Sequence, residues 1–593
     1  MLRELSGAVP ARLQVLHQTA RARLAGLPPA PPTGMLPTVG GYVVIDSPNI
    51  RSARARLRGV VHPWDAAIVA IAVTLGCVTL TFPFGRDQGA FFFIGRQWLH
   101  GLIPYRDTFD NKTPLIYLIH AATIAVLGEH MWAIRAVEIV WVLLLGWFVG
   151  TTLATRGGPP LPGVRGVAVL SFTLLYLCTL NYWDSAQAEV WYAGLAMLSL
   201  WAAERIERRS LAAVIAGVLS GTSLLAKPPA LPMLLPAIAA VAERGFRTDG
   251  TTQARLAVAV RVLALFVAGA TVPIAFTLFY FAAVGALPAL IDVTIYANLY
   301  YAGQSGAQTS AEVVDRLIGF AREFHPLVML GLLMLLVGFV VAIGRRSYPT
   351  ARRYCLAALL LAGAIAAVVW QRKFFRYHYG AILIALGYVF VTVADDAARQ
   401  FPQWLRRPAS GPIVAAAIGA AVLAAFTSVV PASNRYTYHA VRAIEHLQHR
   451  VSDREFCADF ALPELSYDWT SNVAVGAWLA NNSLPSDEVV VRGFEPGIYA
   501  VAHRWTCHRF FFTSWLIDPR RNYHRAEWLR EDLDGLKRRP PRYIVVLNEV
   551  REGIDSPAYI TPLGYRERFR YRGLSVLERS PPPTDSIAAP SAR

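Results

Sequence analysis

The chain has 593 residues, of which 54% are hydrophobic and only 16% are charged. A soluble globular domain is usually less apolar and more charged, so this composition excludes an ordinary soluble protein and indicates a polytopic membrane protein. The formal net charge of +17 would suggest a nucleic-acid partner in a soluble protein. Here the arginines concentrate in alternate loops between apolar runs, which is the positive-inside pattern, and we expect no nucleic-acid partner.

The first 62 residues precede the first apolar run of membrane length. They lack the uninterrupted apolar core of a signal peptide, and they contain the proline-rich stretch PPAPP at 28–32, which is typical of a chain without a packed core. We predict a basic, partly disordered leader over 1–62 on the cytoplasmic side.

About eleven apolar runs follow, each near the ~20 residues that a helix needs to cross the hydrocarbon core. They cover 66–84, 131–153, 165–181, 190–203, 210–226, 228–242, 258–284, 326–344, 354–370, 379–394 and 411–430. The arginine-rich loops place the N-terminus in the cytoplasm and the tail outside. The run at 114–128 is shorter, and counting it as a span would invert every later loop. We therefore interpret it as a helix at the outer surface and assign 63–430 to one transmembrane domain.

The tail at 431–593 has the pattern of a separate external α/β domain. Helical periodicity and short β-rich runs are both present, with helices expected at 471–482 and 525–539 and strands at 488–493, 542–549 and 573–578. Cys457 and Cys507 lie in this domain, where an oxidising compartment would permit a disulfide between them. Their spacing does not have the form of a metal site, and the sequence leaves the disulfide open.

Ionisable residues are rare in the middles of the spans, where a charge costs ~3 kcal/mol, and they concentrate at the predicted external ends. The first external loop, 85-GRDQGAFFFIGRQWLHGLIPYRDTFDNKTP-114, interleaves charged and aromatic side chains. Candidate site residues in this and later external segments are Asp87, Lys112, Asp184, Glu189, Lys227, Arg372, Lys373, Arg376 and Tyr377. Three of the chain's four lysines belong to this set, and lysine in an arginine-rich chain suggests a phosphate or a tight polar pocket.

Carboxylates and cations at an external face favour a transfer reaction whose activated group arrives on a lipid phosphate, because the outer face has no nucleotide supply. Cations would stabilise the departing phosphate, and a carboxylate would take the proton of the attacking hydroxyl. Aromatic residues such as Phe91, Phe92 and Phe93 are expected to line the lipid entrance, although aromatic side chains at a membrane interface also form a structural belt.

Five features occur together: the first-loop Asp87, the turn 111-NKTP-114, an acidic second external loop, a Lys-Pro-Pro at 227–229 and a late Arg376-Tyr377 pair. In these features the chain resembles the polyprenyl-phosphate-sugar glycosyltransferases of the GT-C class. Within that class it is similar to the superfamily of protein O-mannosyltransferases, lipid A aminoarabinose transferases and lipopolysaccharide galacturonosyltransferases. The resemblance covers about 65–430 and implies a polytopic helical fold with the external tail as a support.

The resemblance implies Asp87 as the catalytic acid–base residue; the family often has Asp-Glu there, whereas this chain has Gln88 after Asp87. It implies Glu189 or Asp184 as the second-loop acid. The residues assigned to the donor phosphate are Lys112, Lys227, Arg376 and Tyr377, together with the neighbouring Arg372 and Lys373. These cations offset a lipid monophosphate, so we expect no obligatory metal, although the three carboxylates leave Mg²⁺ or Mn²⁺ open.

We therefore expect an inverting glycosyltransferase that moves a sugar from a polyprenyl-phosphate donor to a lipid, glycan or protein acceptor on the outer face of the bacterial inner membrane. A transporter or flippase of lipid-linked sugars is one alternative, but it would need polar or broken helices near the middle of the membrane, which the clean spans argue against. A polysaccharide polymerase or ligase that uses a lipid diphosphate is another, and the acidic first loop favours the monophosphate class by resemblance.

Overall fold

The computed structural model describes residues 35–38, 41–44, 63–154, 163–304, 306–307, 309–400, 433–521, 523–548 and 553–580. The chain forms two compact units, Met1–Val61 and His62–Arg593. In the first unit, strands β1 (Met35–Thr38) and β2 (Gly41–Val44) form an antiparallel hairpin. The rest of the predicted leader lies outside the described residues.

The second unit is mainly helical. Up to residue 400 its described helices are α1 (Pro63–Cys77), α2 (Arg86–Leu99), α3 (Pro114–Leu127), α4 (Met131–Ala154), α5 (Val164–Phe172), α6 (Ala188–Arg205), α7 (Arg209–Ala226), α8 (Leu235–Phe246), α9 (Thr252–Ala283), α10 (Leu287–Ile291), α11 (Asn298–Gln304), α12 (Ser310–Glu323), α13 (His325–Gly344), α14 (Tyr348–Gln371) and α15 (Gly380–Gln400). Tighter or wider helical turns adjoin several of them, at Val78–Thr81, Thr173–Leu177, Pro228–Leu234, Asp292–Ala297 and Arg376–Tyr379.

Seven helical segments of the described chain are long and apolar enough to cross a membrane: Pro63–Thr81, Met131–Thr151, Arg209–Ala226, Thr252–Ala283, Leu327–Gly344, Tyr348–Gln371 and Arg376–Asp396.

The predicted polytopic helical fold is confirmed, with seven such segments rather than about eleven. The predicted span at 165–181 is a shorter apolar helix, and α6 carries charged residues at both ends. The run at 228–242 is interrupted around Pro232, because proline removes a backbone donor. The span at 411–430 lies outside the described residues.

Helices α7 and α9 cross with almost no space between their backbones. A Cβ atom at Gly217 would lie 2.0 Å from the carbonyl oxygen of Phe266, and one at Gly221 would lie 2.1 Å from that of Ala270. Small residues allow membrane helices to approach in this way, so a larger side chain at either glycine would force the helices apart. The crossing fixes the end of α7, where Lys227 follows the last helical residue.

The tail contains helices α16 (Ser433–Leu447), α17 (Asp453–Ala458), α18 (Trp469–Asn482), α19 (Gly497–Ala502), α20 (Ser514–Ile517), α21 (Arg525–Arg538) and α22 (Pro557–Ile560), and strands β3 (Ala461–Leu462), β4 (Tyr467–Asp468), β5 (Val489–Val491), β6 (Tyr543–Leu547), β7 (Tyr565–Tyr571) and β8 (Leu574–Arg579). Strands β3 and β4 form a short antiparallel pair, and a second sheet has the order β5-β6-β8-β7. In it β5 and β6 are parallel and the other pairs antiparallel. The two predicted helices and three predicted strands are confirmed. Cys457 and Cys507 are both free thiols.

Helix α2 lies between the helical bundle and the tail. The ring of Phe93 stacks on that of Phe511 in the tail, with a centroid distance of 4.3 Å. Phe91, Phe92 and Phe93 are at most 3% exposed. The prediction that these aromatic residues line a lipid entrance is therefore wrong, because they are used to pack the first external loop into the protein interior. The second external loop and the tail together hold the first turn of α2 in a fixed position.

Candidate active site

Five of the nine predicted site residues converge at one end of the helical bundle. Asp87 lies in the first turn of α2, Lys112 two residues before α3, Glu189 in the first turn of α6, Lys227 directly after α7 and Tyr377 in the turn before α15. Asp87 and Glu189 both interact electrostatically with the two lysines. The Lys227 Nζ atom lies 5.4 Å from the centroid of the Tyr377 ring. We call these five residues the inner site.

The Asp87 carboxylate is half-buried and forms no hydrogen bond or ion pair within the described part of the chain. It follows the N-cap residue Gly85 in the first turn of α2, where the helix dipole stabilises negative charge. A positioned carboxylate of this kind can act as a general base toward a bound hydroxyl, because neither oxygen is occupied by a protein donor.

Gln88 occupies the position at which the GT-C superfamily often has a glutamate. Its buried side-chain nitrogen donates to the carbonyl oxygens of Tyr182, Trp183 and Ser185, at 3.3, 3.0 and 2.6 Å. An ionised glutamate could not donate to these carbonyls, so the glutamine fits a structural role. It ties the first external loop to the second and thereby fixes the neighbouring Asp87.

The two lysines of the inner site have different electrostatic surroundings. Burial lowers the pKa of the Lys112 ammonium, but Asp87 and Asp110 raise it by more, and the pKa lies above its ordinary value. Burial also lowers the pKa of Lys227, and Lys112 adds to this effect, so the pKa lies below its ordinary value although Glu189 opposes the change. Lys227 donates to Glu189 Oε1 at 2.6 Å, and this ion pair helps it to keep its proton.

The inner site has donors left for a ligand. An ammonium carries three N–H groups; Lys227 uses one on Glu189, and the Lys112 Nζ atom lies 3.5 Å from Asn111 Oδ1. The Tyr377 hydroxyl has no hydrogen-bond partner among the described residues, and the buried Oε2 of Glu189 has none there either. The remaining N–H and O–H groups suit the oxygens of a phosphate, since hydrogen bonds between ionised groups are the strong ones.

Arg376 and Asp184 are paired with each other. The guanidinium contacts Asp184 at 2.8 Å and Glu323 at 2.7 Å, and it donates to the Thr179 carbonyl oxygen at 3.0 Å. Burial raises the pKa of Asp184, and Arg376 opposes this shift. A phosphate at Arg376 would have to compete with two carboxylates, and its contact with the donor stays a prediction.

Arg372 and Lys373 lie beside α11. Arg372 ends α14 with a φ of 56° and an exposed side chain, and its carbonyl oxygen accepts a hydrogen bond from the Ala307 nitrogen at 2.8 Å. This close approach requires glycine at 306, where a Cβ atom would lie 2.4 Å from the same oxygen. Lys373 Nζ donates to the Tyr301 carbonyl oxygen at 2.9 Å. Both cations thus lie on the α11 side of the turn that leads to Tyr377.

A buried ion pair that the sequence interpretation missed joins the two external loops. Arg135 and Glu138 are 0% exposed, and their charged atoms lie 3.9 Å apart. Arg135 donates to the carbonyl oxygens of Pro83 and Tyr182 at 2.9 and 2.8 Å and to Ser185 Oγ at 2.6 Å. The signal was present in the sequence, because charged residues three positions apart inside an apolar run are expected to have a specific partner.

Asp110 is a second acid that the sequence interpretation left out. It is buried and accepts a hydrogen bond from the Tyr117 hydroxyl at 2.9 Å. Burial raises its pKa; Lys112 opposes the shift and Asp87 adds to it. Asp110 therefore shares Lys112 with Asp87, which makes the first external loop the source of two carboxylates in or beside the inner site.

No group of three or more His, Cys, Asp or Glu side chains that could hold a metal ion occurs within the described ranges. The expectation of a metal-independent site, with Mg²⁺ or Mn²⁺ left open, stays a prediction.

The comparisons with known proteins point to one architecture. No model of a protein family and no curated protein matches the chain. ArnT from Cupriavidus metallidurans bound to undecaprenyl phosphate superposes with a TM-score of 0.52 at 16% sequence identity, covering 88% of this chain and 99% of ArnT. The same protein in the apo state gives a TM-score of 0.51 at 15% identity with the same coverage.

The chain therefore has the fold of the polytopic GT-C membrane proteins, as the sequence resemblance implied. At this level of identity the shared feature is the fold.

Proposed function

We propose that the protein is an inverting glycosyltransferase that moves a sugar from a polyprenyl-phosphate donor to a lipid, glycan or protein acceptor on the outer face of the inner membrane. The observation that carries the proposal is the half-buried Asp87 carboxylate, which has no partner within the described residues and lies beside the ammonium groups of Lys112 and Lys227. The nature of the donor is supported by the fold shared with a protein solved with undecaprenyl phosphate bound.

The proposed reaction is a single displacement at the anomeric carbon. Asp87 takes the proton of an acceptor hydroxyl as its oxygen attacks that carbon. The bond between the carbon and the phosphate oxygen breaks, and the electron pair stays with the phosphate, whose developing charge is stabilised by Lys112, Lys227 and the Tyr377 hydroxyl. One displacement inverts the anomeric configuration. Glu189 holds Lys227 in place and supports its charge.

The location on the outer face is supported by the distribution of arginine. The end of the bundle opposite the inner site carries Arg205, Arg244, Arg352 and Arg353, and such loops face the cytoplasm by the positive-inside rule. A reporter fused after residue 593 should be active only outside the cytoplasm. Cytoplasmic activity of that fusion would place the inner site on the wrong side for the proposed reaction.

The proposed activity is tested with purified protein in lipid vesicles, a pool of labelled polyprenyl-phosphate sugars and an envelope fraction as acceptor. We expect label in an envelope component and release of polyprenyl phosphate in equal amount, and we expect Asp87→Asn to lose both. Movement of the lipid-linked sugar across the vesicle without transfer would identify a flippase instead. In a parallel assay with a labelled glycan on polyprenyl diphosphate as donor, transfer of the glycan with release of polyprenyl diphosphate would identify a polymerase or ligase.

A further inference from the structure

Three cations meet where the tail packs against Tyr301 of α11. Lys373 Nζ lies 3.7 Å from the centroid of the Tyr301 ring, and the guanidinium carbon of Arg521 lies 5.5 Å from the same centroid. Arg520, the next residue in the tail, has a side chain that is 65% exposed. We call Lys373, Arg520 and Arg521 the outer cluster.

The two arginines of the outer cluster share one carboxylate. Asp518 pairs with Arg520 at 3.0 Å and with Arg521 at 3.3 Å, and its charge also acts to raise the pKa of Lys373. Burial, with the charges of Arg521 and Arg520, lowers the pKa of Lys373 to about 8. The contact of Arg521 with Asp518 is made by its Nε atom, so the terminal nitrogens of its guanidinium remain available to a ligand. One carboxylate thus serves both arginines.

The outer cluster adjoins the inner site. Tyr301, against which Lys373 and Arg521 lie, is close enough to interact electrostatically with Lys112 and Tyr377, and Arg521 likewise acts on Tyr377. The two sets of cations are therefore neighbours, but they differ in the number of carboxylates beside them. Asp87, Asp110 and Glu189 act on the two lysines of the inner site, whereas the two arginines of the outer cluster share Asp518.

We propose that Lys373, Arg520 and Arg521 form a second anion site, which binds a phosphate or carboxylate group of the acceptor. The inference rests on the proposed function, in which Lys112 and Lys227 already hold the single phosphate of the donor. It moves Lys373 from the donor to the acceptor, and it makes the tail part of the substrate-binding surface. Two arginines and a lysine around one opening can surround an anionic group with several charge-assisted hydrogen bonds.

Selective acetylation of Lys373 tests the site without any sugar transfer. The chain has only four lysines, so mass spectrometry after limited acetylation at pH 8 can follow each of them, with the exposed Lys537 on α21 as the internal reference. A bound anion raises the pKa of a neighbouring ammonium. A rise of about one unit reduces the reactive amine at pH 8 about fivefold, and we expect that reduction at Lys373 when sodium phosphate replaces sodium chloride at equal ionic strength.

Two variants and one lipid separate the possible sources of the anion. Arg520→Gln with Arg521→Gln should abolish the protection by phosphate, and Arg538→Gln, an exposed arginine of the same tail, should keep it. Undecaprenyl phosphate in detergent should leave Lys373 reactive if the donor phosphate binds only at the inner site. Absence of protection by inorganic phosphate, or equal protection by undecaprenyl phosphate, would overturn the proposal. Loss of transfer in Asp87→Asn is a separate result, which bears on the proposed function and not on this site.

Discussion

The two ends of the helical bundle carry charges of different kinds. At the end formed by the C-terminus of α6 and the start of α14, Arg352 contacts Glu204 at 2.5 Å and also pairs with Glu243. At the opposite end of the bundle, Asp87 in α2 has no partner among the described residues, and one oxygen of Glu189 at the start of α6 is buried without one. Ion pairs between helices hold the first end, although Asp396 Oδ2 is buried there without a hydrogen-bond partner among the described residues. The second end differs because a whole carboxylate, that of Asp87, has no partner among the described residues.

This difference shows which charges the fold already uses. An ion pair that is removed from water contributes little net stability, yet breaking it by removing one partner leaves a buried charge and costs about 3–5 kcal/mol. Charges that are left without a protein partner contribute nothing to the stability that such ion pairs provide. They are retained where a ligand or a reaction needs them.

The largest effect is expected at Asp87. Because a positioned general base contributes ~10²–10⁴-fold, Asp87→Asn should slow sugar transfer by about that factor while its Tm and its affinity for undecaprenyl phosphate stay close to wild type. The measurement is turnover by purified protein in vesicles.

Asp107→Asn is the matched control for Asp87, because Asp107 lies in the same loop and is already paired with Arg106 at 2.7 Å. We expect it to transfer sugar within about twofold of wild type, since an exposed ion pair contributes little. Normal transfer by Asp87→Asn would make Asp87 a structural residue and would leave Glu189 and Asp184 as candidates for the base.

The next effect concerns stability at Arg376. Arg376→Gln leaves Asp184 buried without its cation, and we expect the free energy of unfolding to fall by about 3 kcal/mol, with partial recovery when Asp184→Asn is added. Thermal unfolding in detergent measures both variants. A fall in affinity for undecaprenyl phosphate with an unchanged Tm would instead support the predicted contact of Arg376 with the donor.

Arg352→Gln is the corresponding change at the opposite end of the bundle. It should lower the Tm and leave the affinity for undecaprenyl phosphate unchanged, because Glu204 and Glu243, with which Arg352 pairs, lie at the end of the bundle opposite the inner site. Weaker lipid binding in this variant would contradict the view that the charges at this end of the bundle have only a structural role.

A smaller effect is expected at Lys227. A charge-assisted hydrogen bond contributes about 1.5–3 kcal/mol, so Lys227→Gln should weaken binding of undecaprenyl phosphate by about 10- to 100-fold. It also leaves the buried Glu189 without its cation, so its Tm should fall as that of Arg376→Gln does. Lys537→Gln, which changes an exposed lysine of the tail, serves as the control and should bind normally. Unchanged binding in Lys227→Gln would remove this lysine from the donor site.

The sequence predicted the end of the bundle at which the unusual charges lie, because apolar runs and arginine-rich loops determine which helix ends face the same way. It could not predict which charges are already paired. Arg376 and Asp184 are far apart in the chain, and only tertiary packing brings them within 2.8 Å. Arg520 and Arg521 were overlooked for the same reason, since the tail was interpreted as a separate domain.

Strand β7 and the aromatic run in α2 show two further limits of sequence patterns. The residues YRERFRY of β7 lie at the edge of the sheet, where charged side chains are common, so little apolar alternation was present. The run Phe91–Phe93 has the composition of a membrane-interface belt, but it is buried: Phe93 packs against the tail, and Phe91 and Phe92 pack against residues before residue 121. The strand was missed because an exposed edge has little apolar alternation, and the aromatic run was misinterpreted because burial by a distant segment leaves no local periodicity.

The smallest expected effect is a dependence of stability on pH that involves Lys373. Its pKa in the folded chain is about 8, below its ordinary value of 10.5, first because of burial and then because of Arg521 and Arg520. Below about pH 8 the group is protonated in both the folded and the unfolded chain, and its unfavourable charge lowers stability in full. Between pH 8 and 10.5 the unfolded chain binds more protons than the folded chain, so stability rises with pH.

Lys373→Met removes this charge and isolates its contribution. We expect the variant to have a higher Tm than wild type at pH 7, and the difference to shrink as the pH rises from 8 to 10, when the wild-type ammonium loses its proton. Inorganic phosphate at pH 7 should also reduce the difference, because an anion between Lys373, Arg520 and Arg521 offsets the same unfavourable charge. A difference in Tm that is constant with pH and insensitive to phosphate would mean that the outer cluster is already fully compensated, and it would then resemble the paired end of the bundle.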